Sequence, residues 1–166
     1  ATALRVRTTT LTLPPRDAPA PSLPPVEACA PWTFPFFRTV TGYHTAMELR
    51  VARGEFGRGA MAVWMRQRQP LVAGEAPTAL QRVLVAADSG NGVSLALDTR
   101  RFTFVNPDLT VHLHRPLEGE WVGLDAVTVP WPSGVGLAES ALHDSRGPVG
   151  RSLQSLVIEA RSEAPI

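Results

Sequence analysis

Only one stretch of this 166-residue chain repeats its apolar residues with a helical period; the segments around it alternate. Neither kind of element can hide its apolar side alone, so the helix must lay its stripe on a sheet face. The helical stretch is APTALQRVLVAAD, residues 76–88. Pro77 suits a first helical position. Leu80, Val83, Leu84 and Ala87 form the stripe, and Gly90 or Gly92 in the following DSGNG is a natural terminator. Asp88 then falls at the C-terminal end of the helix.

Two strand signals precede the helix. YHTAMELRVARG sets Thr45, Met47, Leu49 and Val51 on one face, and GAMAVWMRQ does the same with Met61, Val63 and Met65. Four more follow, at about 102–114, 119–131, 135–144 and 148–160, separated by the turn-rich PLEGE, WPSG and DSRGP. Two strands, one helix and four strands predict an α+β domain over residues 38–162, with an antiparallel sheet and the helix on one face. Residues 14–37 carry eight prolines between Pro14 and Pro35 and predict an extended linker. Within residues 1–13, ALRVRTTTLTL reads as one strand. A lone strand needs a ladder partner, so it reads as the end of a preceding unit.

Several function classes fall away. The 16 basic residues are all Arg, net charge is +1, and no basic block tracks a phosphate backbone, so no nucleic-acid partner is expected. No apolar run is long enough to span a membrane. The single Cys29 excludes an intrachain disulfide and a Cys-based metal site; it reads as an incidental thiol, and a reducing cytoplasm is the expected setting.

The densest polar segment is FVNPDLTVHLHRPLEGEW, residues 104–121. Phe102 and Phe104 occupy even positions, whereas Leu109, Val111 and Leu113 occupy odd ones. The apolar face switches parity across Asn106–Pro107, which requires an extra residue or a bend, or else a strand that begins only after Pro107. On the first reading Asn106 sits where a side chain is re-aimed. Thr110, His112 and His114 share a polar face; two His need a third ligand to hold a metal, and a plain polar face is the expectation. His44 and His143 are isolated and read as structural or exposed. A carboxylate at Asp88 meets the negative end of the helix dipole, and burial would raise its pKa further, as suits a general base; a solvated helix-end Asp is the alternative. Gln154, in VGRSLQSLVIEAR, shares a strand face with Gly150, Ser152, Leu156 and Ile158.

Together, ADSG, FVNPDLTVHLHRPLEGEWVGLDAVT and GVGLAESALHDSRGPVGRSLQSLVIEAR resemble the C-terminal half of the acyl-CoA thioesterase II type, a double hotdog family, over roughly residues 32–162. The resemblance implies a hotdog fold, an antiparallel sheet wrapped around one helix and half of a double hotdog. It also implies acyl-CoA as substrate, no cofactor and no metal. The partner it implies is a second hotdog half or another copy of the chain. Family members hold and activate water with an Asp at the helix end, a Thr or Ser upstream of the HRP strand and a Gln in the last strand. Asp88 and Gln154 match the first and third. The second position falls on Asn106, a departure from the pattern, with Thr110 as the nearby alternative. An Asn amide both donates to and accepts from water. The reaction implied is hydrolysis of an acyl-CoA thioester, with Asp88 as proton acceptor and a main-chain N–H facing the oxyanion. No G-x-S-x-G elbow suggests a nucleophilic Ser. Two rivals are a hotdog enoyl-CoA hydratase and a catalytically silent acyl-CoA-binding hotdog. The first needs a D-x-N-P-x-H arrangement; here residue 104 is Phe and no His stands two places after Pro107.

Overall fold

The computed structural model describes residues 1–4, 6, 9–14, 22–37 and 40–161. After a 3-10 turn at Val26–Ala28 the elements are β1 Ala30–Trp32, α1 Tyr43–Ala46, β2 Met47–Gly54, β3 Ala60–Gln67, α2 Ala79–Ala87, α3 Gly90–Val93, β4 Phe102–Val105, β5 Thr110–Leu113, β6 Trp121–Pro130, β7 Val135–Asp144 and β8 Gly147–Ala160. They form one antiparallel sheet in the order β1-β2-β3-β6-β7-β8-β4, with β5 also pairing β8. This is the α+β hotdog arrangement: a sheet with its main helix laid on one face.

The strands form because their alternation is real. Met61, Val63 and Met65 are buried together, as are Met47 and Leu49, and Val122, Leu124 and Leu142 complete the same core. Thr45 lies instead in the short α1 that leads into β2. Against this core α2 presents Val83, Ala86 and Ala87. The expected stripe is therefore rotated: Leu80 and Leu84 are 55 % and 40 % exposed. Small alanines let the helix approach a sheet whose own large side chains fill the core, and the two leucines are left at its flank. The helix starts at Ala79, two residues past Pro77, because Thr78 takes the cap. Thr78 Oγ1 accepts from Gln81 N at 3.2 Å and Thr78 N donates to Gln81 Oε1 at 2.7 Å, a reciprocal capping box.

The Pro-rich stretch is not simply a linker. Trp64 is buried on the sheet face away from α2, and residues 22–29 cover it. Its indole N–H donates to Pro24 O at 2.8 Å, and Val26 and Cys29 pack beside it. Cys29 is thus a buried packing residue, and β1 adds Ala30–Trp32 to the edge of β2. Phe34 continues into the main core. The expected strand within residues 1–13 is not formed among its described residues, where Leu4, Val6, Leu11 and Leu13 are exposed. A strand without a ladder partner has nothing to hold it, and positions 5, 7 and 8 lie outside the described residues. Among the described residues no helix is long and apolar enough to cross a membrane.

The parity switch of the polar segment is a bulge between two short strands. Val105 pairs with Val157 and Thr110 with Leu153. Residues 106–109 therefore face the shorter run 154–156 on β8, and one residue is extra. Asp108 fills the broken ladder: its Oδ1 accepts from Ser155 N and its Oδ2 from Ser155 Oγ, both at 2.8 Å. These two bonds hold the Asp108 carboxyl below its usual pKa.

Candidate active site

Asp88 is the C-cap of α2, and the chain turns there into the short α3. Gln154 projects from β8 toward this junction and is almost wholly buried. Its amide is fixed by the main chain on both sides. Gln154 Oε1 accepts from Asn91 N at 3.0 Å, and Nε2 donates to Asp88 O at 3.0 Å. An N–H can only meet the oxygen and a carbonyl only the nitrogen, so the orientation of the amide is determined. The same Nε2 lies 3.5 Å from Asp88 Oδ1. Asn106, carried by the bulge, donates from Nδ2 to Asp88 Oδ1 at 3.0 Å. Asp88, Asn106 and Gln154 thus converge at one point from a helix end, a strand irregularity and the last strand. Asp88 itself is exposed, its carboxylate reaching an open cavity.

That cavity encloses about 280 Å³. Asp88, Ser89, Asn91 and Asn106 form its polar end, and Phe34, Phe36, Phe37, Tyr43 and Phe104 its apolar wall. The rings support one another: Phe36 and Phe37 lie 4.8 Å apart by centroids, and Phe34 lies 5.2 Å from Phe36 in a tilted arrangement. Tyr43 locks the helix break. Its hydroxyl gives its one hydrogen to Val85 O at 3.1 Å, so the 2.6 Å contact with Ser89 Oγ is donated by the serine. Burial pushes the Tyr43 hydroxyl up to about 12; the Ser89 bond opposes that rise and the nearby Asp88 charge adds to it. The group is a fixed donor at neutral pH.

Thr110, the alternative to Asn106, pairs with Leu153 and so lies on the opposite sheet face from Gln154. His112 pairs with Arg151 on that same outer face, and His112 and His114 are both exposed. Among the described residues no group of three potential ligands surrounds a metal position. His44 stacks on Phe37 at 5.0 Å, and His143 is fully buried, where burial lowers its pKa. Phe34, Phe36 and Phe37 of the aromatic wall escaped a reading based on periodicity because they come from the proline-rich stretch. Their signal was the run WTFPFF, with four aromatic residues in six positions.

Gly90 shows how closely the site is packed. A Cβ there would lie 2.8 Å from Ser140 Oγ and 3.1 Å from Gln154 Oε1. Gly90→Ala is therefore expected to displace Gln154 and to cost on the order of 1–3 kcal/mol of stability. Urea denaturation measures this, and an unchanged midpoint would show that the junction yields without strain.

A search of curated proteins finds no match to the chain. The acyl-CoA thioesterase II TesB2 of Mycobacterium marinum superposes with a TM-score of 0.62 at 16 % identity, over 95 % of this chain and 61 % of that one. A candidate thioesterase II of Thermobifida fusca gives 0.63 at 18 % identity, over 89 % and 57 %. A thioesterase of Haemophilus influenzae gives 0.50 at 16 % identity, over 68 % and 78 %. The chain spans about three fifths of the two thioesterase II structures. At such identities the likeness is one of fold. The family model described as the acyl-CoA thioesterase C-terminal domain matches residues 17–158. With most of its length matched, the chain belongs to the acyl-CoA thioesterase C-terminal domain family.

Proposed function

We propose that this chain hydrolyses acyl-CoA thioesters to a free acid and CoA, using water activated at Asp88. The observation that carries this reading is the convergence of Asp88, Asn106 and Gln154 at the polar end of an aromatic-walled cavity. Asp88 Oδ1 is occupied by Asn106, and among the described residues no group donates to Oδ2. That oxygen accepts the proton of the attacking water. Asn106 donates to Asp88 and keeps its own carbonyl oxygen to orient the water, a role for which an amide serves in place of a hydroxyl. Gln154 ties the Asp88 main chain to the start of α3 and so fixes where the carboxylate stands. The apolar wall takes the acyl group.

The test is a panel of acyl-CoAs with a thiol-trapping reagent. Released thiol supports the reading. Loss of an enoyl chromophore without thiol marks a hydratase, and neither signal marks a binding domain.

We further propose that the edge formed by β4 and β5 receives a second hotdog half or another copy of the chain. The outer side of that edge has no strand partner among the described residues, and Val105 and Leu113 are exposed along it. An unpaired, partly apolar edge favours association. Light scattering is expected to show a mass above the 17.9 kDa of one chain, and a stable monomer would count against the assembly.

A further inference from the structure

Phe104 stands between the site cavity and further apolar space along the inner face of the sheet. Phe104 and Asn91 border both the cavity at Asp88 and a small void of about 10 Å³. Leu97, Pro130 and Ile158 line the same void and also border an open hollow of about 400 Å³ beside Trp131. The three spaces lie in sequence, and the middle one is a neck. Its volume is at the limit for a single water molecule, far below what a hydrocarbon chain requires. Register explains the arrangement. Phe104 is opposite Ile158 in the β4–β8 ladder, so the two side chains share one sheet face. Phe104 is also the last side chain of β4 directed to that face, before the bulge at Asn106 and the reversal of parity in β5. Of the two residues common to cavity and neck, Asn91 is buried and its main chain is bonded to Gln154. Phe104 is a half-buried ring on an edge strand, and its truncation would join the two spaces.

We propose that Phe104 sets the acyl length this chain recognises, closing the cavity so that only short linear acyl groups are fully covered and the hollow beside Trp131 stays out of reach. The inference rests on the thioester reading above and concerns only the acyl portion of the substrate. Each methylene that becomes buried raises affinity roughly fourfold, and one left in solvent adds almost nothing. Affinity plotted against chain length therefore climbs and then levels off at the residue that blocks the path.

The experiment titrates non-hydrolysable acyl-CoA thioethers, from acetyl to palmitoyl analogues, into the chain in its assembled state. For the parent, affinity is expected to level off among the short analogues. In Phe104→Ala the climb should continue over several more methylenes, so the long analogues bind on the order of tenfold to a hundredfold more tightly than to the parent. Phe104→Leu keeps the strand face apolar and should move the break less; it carries the test if the alanine variant does not fold. Phe36→Ala alters the wall without opening the neck, and should weaken all lengths without moving the break. A break that stays in place in the folded Phe104 variants overturns the proposal, as does one that Phe36→Ala moves equally far. Thioether binding does not depend on turnover. A chain that binds the analogues but releases no thiol from acyl-CoA therefore fails the hydrolase reading alone. One that hydrolyses acyl-CoA with an unmoved break fails the Phe104 proposal alone, and one that binds no analogue overturns both.

Discussion

Asp88→Asn is expected to lower kcat for acyl-CoA hydrolysis by on the order of 10²–10⁴-fold, the usual consequence of removing a general base. The substitution is informative because the site around it does not depend on the carboxylate for its shape. Gln154 Nε2 is anchored on the main-chain oxygen of Asp88 at 3.0 Å, and its Oε1 on the N–H of Asn91. Asn106 can still donate to an amide oxygen where it now donates to Oδ1. Asparagine matches aspartate in size, so what disappears is the proton acceptor. Gln154→Ala should behave in the opposite way. It leaves Asp88 chemically intact but strips partners from a buried N–H and a carbonyl, at on the order of 1–3 kcal/mol for each unsatisfied group. Its activity loss should be smaller than that of Asp88→Asn and its stability loss larger. The comparison needs kcat by thiol release and midpoints by urea denaturation for both variants. Hydrolysis by Asp88→Asn at the parent rate would remove Asp88 from the chemistry.

How far the sequence foretells this site depends on the element. Gln154 is legible through the family resemblance more than through periodicity, because Leu156 and Ile158 on its face are matched by Leu153 and Val157 on the other, and only the structure shows that these last two are the exposed ones. Asn106 is legible through an irregularity: the parity switch across Pro107 allows either a bulge or a strand that begins after the proline, and the residue counts of the two ladders contain the bulge. Leu80 and Leu84 mislead because apolar residues, small and large, lie on adjacent helical faces. The choice between them is made by how closely alanine lets the helix approach, which periodicity does not encode. The segment 22–37 misleads for a different reason. Proline argues against regular structure but not against packing, and the run AMAVWM in β3 already needs cover on both faces. Reading Trp64 as an outward-facing apolar side chain would have predicted something to shield it. Phe34, Phe36 and Phe37 of the aromatic wall follow from the same segment, because the chain that covers Trp64 continues through Phe34 to the cavity.

Two phrases within the stretches that carry the resemblance, HRPLEGEW and HDSRGP, meet in space, and what they build is a strut rather than a reaction centre. The Asp144 side chain is fully buried and accepts from Arg115 Nη1 at 2.5 Å and Nη2 at 2.7 Å. It also accepts from the main-chain N–H groups of Glu118 at 3.0 Å and Arg146 at 2.8 Å. Arg115 in turn donates to Pro148 O and Gly147 O, tying the β5–β6 connection to the β7–β8 turn. Burial by itself pushes the Asp144 carboxyl up, but Arg115 and the two N–H donors outweigh it and hold the pKa at about 2. Asp144→Asn keeps the volume and leaves Arg115 charged and mostly buried without its counter-ion. The expected loss is on the order of 3 kcal/mol, the lower end for a broken buried pair, because Arg115 retains some solvent contact. The same bond set gives the chain an acid limb. The folded pKa lies below the ordinary value of 3.8, so the stabilisation is fully present above that value and is lost as pH falls toward about 2. Urea midpoints of parent and variant, measured from pH 7 down to pH 2, should differ most at neutral pH and converge across that window. A difference that does not shrink on acidification would mean that Asp144 stabilises the fold through packing, and that its charge contributes little.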